Sequence, residues 1–180
     1  LTFRDFRGRV DEVLADAAAA GVRGAISVGT TPQDGLAAKA LAEAHANVWF
    51  SAGLHPLHTD EAELDTDLLR ELGRHDKCMA WGELGLDRHY DEPPIDLQRS
   101  VLDEQLAFIE DCTADGLGKP VIVHSRDTFD ELISAFRSSS LPADRFVFHC
   151  FSGGPDDARR VLDFGASISF TGIVTFANAQ

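Results

Sequence analysis

Positive charge is scarce in this sequence of 180 residues. Its 16 lysines and arginines stand against 30 aspartates and glutamates, a formal net charge of −14. A surface of that sign repels nucleic acid at long range, which disfavours a protein that wraps DNA through a wide basic face. An enzyme that meets one or two phosphates through metal ions stays open, because a bound cation supplies charge that composition does not record. Long apolar runs are lacking too. None approaches the roughly 18 residues of a membrane span, so no membrane partner is expected. Cysteine is limited to Cys78, Cys112 and Cys150, far apart, odd in number and without a Cys-x-x-Cys pair. That argues against a disulfide framework or a cysteine zinc site, and reduced, buried thiols in a cytoplasmic protein are expected. Tandem repeats, low-complexity linkers and internal domain boundaries are also absent, so residues 1–180 read as one domain.

What is present is a regular alternation. With 44% apolar and 26% charged residues the chain is of ordinary globular composition. Phe3, Phe6, Val10, Val13, Leu14 and Ala17 recur at helical spacing. Ala25 to Val28 then reads as a strand. Thr31-Pro32 opens a second helix that runs to about His45, with Thr as cap and Pro at the first helical position. Further apolar runs at Val48–Ala52, Met79–Gly82, Val121–Val123, Phe146–Phe148 and Ala166–Phe170 read as strands. Between them, helical spacing places Leu64, Leu68 and Leu72 on one face, and Leu97, Val101, Phe108 and Cys112 on another. Phe129 to Phe136 and Ala158 to Leu162 supply two more helices. Short apolar strands alternating with helices predict an α/β fold with a parallel sheet covered on both faces. The architecture expected is a TIM (β/α)8-type barrel that is incomplete, with six of eight strands present.

Polar residues recur at the C-terminal ends of the predicted strands. His55 follows the second, Glu83 the third, His124 the fourth and His149 the fifth. In a parallel barrel those ends converge on one face, where such enzymes keep their active sites. Two histidines and a carboxylate at equivalent positions suit a divalent metal, with no thiolate required. Glu83, His124 and His149 are therefore the candidate metal ligands. A metal so held lowers the pKa of a water and polarises a phosphoryl or carbonyl oxygen, which points to hydrolysis. Arg126, two residues past His124, is a candidate contact for an anionic substrate, or else an ion-pair partner of Asp127 or Asp130. Asp87 is read as orienting a ligand or a loop rather than binding metal. His45 and His75 are read as surface residues, and His58 and His89 as loop residues on the active face without an assigned role.

Several motifs now stand in order: Gly53-Leu54-His55-Pro56, Gly82-Glu83-Leu84-Gly85-Leu86-Asp87, Pro120 to Asp127, His149-Cys150-Phe151-Ser152-Gly153, and Ser169 to Val174. Together they resemble the TatD family of metal-dependent deoxyribonucleases, within the amidohydrolase-like barrels. The resemblance implies a divalent-metal phosphodiesterase acting on DNA as substrate, by exonuclease-like trimming, with two metals in a complete site. Mg²⁺ is the expected metal, with Mn²⁺ and Zn²⁺ as alternatives. It also implies that Glu83 is the catalytic carboxylate shared between the metals, with His124 and His149 as ligands. His55 and Arg126 would contact substrate phosphate. No obligate protein partner is implied.

Two family elements have no counterpart here: a His-x-His pair on the first strand, and a Glu-Thr-Asp-x-Pro segment on the last. They belong to the strands that the count also lacks. The expectation is therefore a domain truncated at both ends, weakly active or inactive by itself. A related barrel hydrolase cutting a C–N or ester bond, and an inert truncated barrel, are the alternatives. A Schiff-base aldolase is disfavoured, since none of Lys39, Lys77 and Lys119 sits at a strand end.

Overall fold

The computed structural model describes residues 1–177. Six strands form one sheet in the order β1-β2-β3-β4-β5-β6, and every neighbouring pair is parallel. The strands are β1 (Ala25–Val28), β2 (Val48–Ala52), β3 (Cys78–Asp87), β4 (Val121–Arg126), β5 (Phe146–Phe148) and β6 (Ser167–Ile168). The helices are α1 (Val10–Ala19), α2 (Pro32–Ala44), α3 (Thr66–Gly73), α4 (Ile95–Ala114), α5 (Phe129–Ser138) and α6 (Pro155–Phe164). Sequential strand order with a helix between each parallel pair is the barrel arrangement expected from the sequence. Among the described residues β1 and β6 do not pair with each other, so the sheet is an open one.

Local chemistry sets the element ends. The Thr31 hydroxyl accepts the Asp34 amide at 3.0 Å, and Pro32 opens α2. Gly165 ends α6 at φ +102°, a conformation that costs an L-residue a steric clash. The first helix begins later than its apolar spacing predicts. Phe6 ends a separate 3-10 turn, Arg4–Phe6, that Phe3 precedes as its cap, and Gly8 at φ +74° breaks the path before Val10.

The core lies between the sheet and its helices. Val48, Phe50 and Ala52 of β2 are fully buried, as are Ala38 and Ala42 of α2 and Leu69 and Leu72 of α3 in the same cluster. Phe136 of α5 stacks on Phe146 of β5 with ring centroids 4.0 Å apart. Burying a side chain of this size stabilises the fold by about 1.5–3 kcal/mol.

β3 and β4 run further than the sequence indicates. They extend together through the pairs Gly85–His124, Leu86–Ser125 and Asp87–Arg126. The apolar pattern stops at the first polar residue, but these polar side chains satisfy one another and the ladder continues. Glu83 and His124 thus sit within strands rather than just beyond them. Gly85 makes the close approach feasible, since a Cβ there would lie 1.9 Å from the His124 carbonyl oxygen. β6 is the opposite case, two residues long against the five expected.

Candidate metal centre

The site is built around one buried carboxylate. Glu83, only 7% exposed, brings its Oε1 to 3.0 Å from His124 Nδ1, 3.1 Å from His149 Nε2 and 3.6 Å from His55 Nε2. Burial alone would push the Glu83 carboxyl up. Hydrogen bonds from His124, His149 and His55 outweigh it and hold the group well below the usual carboxylate range. Burial pulls His124 down, yet Glu83 and then Asp87 raise it above the ordinary histidine value. For His55, burial outweighs Glu83 and lowers the ring's pKa, favouring neutral imidazole.

Hydrogen bonds to the outer ring nitrogens select the tautomers. His124 Nε2 lies 2.8 Å from Oδ2 of Asp87, itself 1% exposed. An ionised carboxylate accepts only, so Nε2 carries the proton and neutral His124 presents a lone pair at Nδ1. His55 is the reverse. Its Nδ1 accepts the Leu57 backbone amide at 3.1 Å, so neutral His55 carries its proton on Nε2. His55 Nε2 stands 3.1 Å from His124 Nδ1.

One side-chain nitrogen or oxygen from each of His55, Glu83 and His124 lies within 4.8 Å of the other two; with the proton on His55 Nε2, the lone pairs aimed at the cluster come from Glu83 and His124. Neutral His124 turns a lone pair toward a carboxylate oxygen, an arrangement that needs a proton or a cation between the two. Nitrogen and oxygen donors in a buried, negatively charged pocket suit a divalent ion. The residues present therefore fit a metal. His149 reaches the same Glu83 oxygen from the end of β5.

Two glutamines hold the backbone of this site. Gln105 of α4 accepts the Leu54 amide through Oε1 at 2.9 Å and donates through Nε2 to the Leu54 carbonyl at 3.0 Å. That fixes the chain next to His55. Nearer the start of α4, Gln98 Oε1 accepts the Asp87 amide at 2.9 Å, and its Nε2 donates to the Asp87 and Pro93 carbonyls at 3.1 and 2.7 Å. Both are almost fully buried. The sequence reading missed them. Their signal was there: Gln98 and Gln105 occupy the apolar stripe of α4 with Leu102, Ile109 and Cys112, where an uncharged polar residue calls for a buried partner.

The remaining expectations fall as follows. The structure brings Glu83, His124 and His149 together, and His55 with them. Asp87 binds the His124 ring. Arg126 forms no ion pair with Asp127 or Asp130 among the described residues, and Asp130 pairs with Arg160 instead. Its guanidinium lies over the Tyr90 ring, 5.8 Å from the centroid. Arg126 also lines a cleft of about 310 Å³ with His124, His149 and Cys150. His45 and His75 are partly exposed and stand apart from the cluster, beside Asp11 and Glu43. His58 contacts exposed Glu61.

The chain is similar to known proteins. The family model described as TatD related DNase matches residues 1–180. The chain is 36% identical to YcfH of Escherichia coli strain K12, an uncharacterized metal-dependent hydrolase, over all of this chain and 66% of that protein. It is 33% identical to the 3'-5' ssDNA/RNA exonuclease TatD of Pantoea ananatis, over 97% of this chain and 66% of that one. The crystal structure of YjjV, a TatD homologue of Escherichia coli, superposes with a TM-score of 0.87 at 33% identity, covering 99% of this chain and 68% of the other. The chain thus spans about two thirds of the length of the curated relatives it matches, 66% in the first. Matched from end to end by the family model, and carrying the fold of a solved homologue, this chain belongs to the family of TatD-related DNases.

Proposed function

We propose that this chain carries the metal-holding part of a metal-dependent hydrolase that cleaves phosphodiester bonds of DNA in exonuclease fashion. The observation that carries the reading is the convergence of His124, His149 and His55 on one oxygen of buried Glu83. Residues 1–180 act in it as a single hydrolase unit, which further strands of a whole protein complete. The open β1 and β6 edges and the greater length of the relatives support that view.

A divalent ion, Mg²⁺ with Mn²⁺ or Zn²⁺ as alternatives, supplies Lewis acidity toward a phosphoryl oxygen and lowers the pKa of a water. The chain's own residues do the rest. Glu83 would provide the negative charge that holds the ion, and its Oε1 already gathers the three imidazoles. His124 offers Nδ1 because Asp87 retains the proton on Nε2. His149 offers Nε2 beside the same carboxylate oxygen. His55 is assigned to the substrate rather than to the metal. Its Nε2–H is a donor, suited to a phosphate oxygen, and the Leu57 amide keeps it so. Arg126 brings a permanent positive charge to the cleft beside His124 and His149. In a chain of net charge −14 such local donors are what draws in a phosphate. A relative named as a single-stranded DNA and RNA exonuclease supports the choice of substrate.

Calorimetry with Mn²⁺ on this chain and on Glu83→Gln tests the metal site, and release of nucleotides from single-stranded DNA with and without EDTA tests the substrate. Uptake that Glu83→Gln abolishes, with weak chelator-sensitive trimming, is the expected result. Absence of uptake overturns the site. Hydrolysis of amides or esters with DNA left intact overturns the substrate.

A further inference from the structure

We infer that Tyr90 is the nucleobase platform of this site, stacking a base of the single strand whose phosphate meets His55 and Arg126. The inference rests on the nuclease reading above and names the part of the substrate that its phosphate contacts leave unassigned. Phosphate contacts position a strand, whereas its bases need apolar, planar surface of their own.

Tyr90 is the sole tyrosine of the sequence and is 52% exposed. It does not belong to the core. Its ring meets the His89 ring edge-on, with centroids 4.7 Å apart, and lies under the Arg126 guanidinium. An exposed aromatic ring with an arginine beside it is the pair of groups on which unpaired bases stack. The same Arg126 lines the cleft with His124 and His149. It therefore joins the ring to the place where the phosphate is held.

The backbone segment that carries the ring is anchored on both sides of it, at Asp87 and at Pro93. The segment that carries it begins at Asp87, whose Oδ2 binds His124 and whose Oδ1 accepts the His89 amide at 2.8 Å. The Arg88 amide donates to the Arg126 carbonyl at 3.1 Å. Gln98 ties both ends of the segment, at Asp87 and Pro93. The cluster and the segment that carries Tyr90 are thus braced by one buried carboxylate and one buried carboxamide. An anchored backbone lowers the ordering cost of presenting the ring to a base.

The test is fluorescence anisotropy with a labelled oligothymidylate bearing uncleavable phosphorothioate links, and with the same backbone lacking its bases. Tyr90→Ala is expected to weaken the base-bearing strand about tenfold and to leave the abasic strand unchanged, while Tyr90→Phe keeps the parental affinity for both. Equal affinity of Tyr90→Ala and parent for the base-bearing strand overturns the platform and leaves the nuclease reading standing. An equal loss on both strands also overturns it, since the defect then lies in the segment and not in stacking. Failure of the parent to bind either strand overturns the nuclease reading and the platform together.

Discussion

Gln105 is paired with Leu54 through both faces of its carboxamide, so that a side chain of α4 stands in for a strand neighbour at the end of β2. The backbone there must turn toward the site just before His55, and among the described residues its amide and carbonyl have no ladder partner. A buried peptide group left unpaired costs about 1–3 kcal/mol. The glutamine therefore stabilises the fold and aims the histidine at once.

Gln105→Leu keeps the volume and removes both bonds. We expect a loss of about 2–5 kcal/mol, two orphaned groups' worth, read as a lower urea midpoint at unchanged slope. Unchanged stability would show that Leu54 finds other partners.

Asp87→Asn tests the tautomer argument. With the amide oxygen of the substituted side chain retained by the His89 amide, its NH₂ group faces His124 Nε2 and takes that lone pair. The proton then moves to Nδ1, and the donor aimed at the cluster is lost. Loss of such a ring-orienting partner weakens metal binding by about 10–100-fold. Mn²⁺ calorimetry checks this, and unaltered affinity would remove Asp87 from the site.

Cys78 should resist thiol reagents. Burial pushes its pKa up to about 11, against a smaller opposing effect from Lys119. At pH 8 only on the order of one thiol in a thousand is ionised. Ellman's reagent is expected to reach partly exposed Cys150 first, and Cys78 and Cys112 only on unfolding. Rapid labelling of all the thiols in the native chain would contradict the buried placement.

Glu131 sets an acid limb of stability away from the metal cluster. A hydrogen bond from Arg88 lowers its pKa, burial opposes that, and Arg99 lowers it further. A depressed carboxyl adds stability that is present above its ordinary value of 4.5 and lost as pH falls through the folded value. The partners are well exposed, so screening holds the effect to about 1 kcal/mol or less. Glu131→Gln should be slightly less stable than the parent at pH 7, with the gap closing as pH falls through the lowered pKa of the folded state. A gap that widens in acid would reverse the sign.

Much of the fold is legible in the sequence. The Thr31 cap, Pro32, the cores of β1 to β5 and the stripes of α2 to α6 are local signals that appear where the pattern puts them, whereas α1 starts late and β6 is short. What the pattern lost was the extent of β3 and β4. Glu83 and His124 read as polar ends of strands and Asp87 as an orienting residue beyond one, because a pattern of single residues does not reveal that they satisfy one another across a ladder.

The candidate site divides in the same way. Residue type and topological position alone marked out Glu83, His124, His149 and His55, since parallel strands must bring their C-terminal ends to one side. Which atoms meet was decided by tertiary structure. His55 and His124 stand 69 positions apart, and their contact depends on the register of β2, β3 and β4. That same register fixes the tautomers through Asp87 and Leu57, brings Gln98 and Gln105 to their backbone partners, and lays Arg126 over Tyr90. Hydropathy and capping act over a few residues and can be read along the chain. Hydrogen bonds between distant segments depend on packing, and only the folded chain determines them.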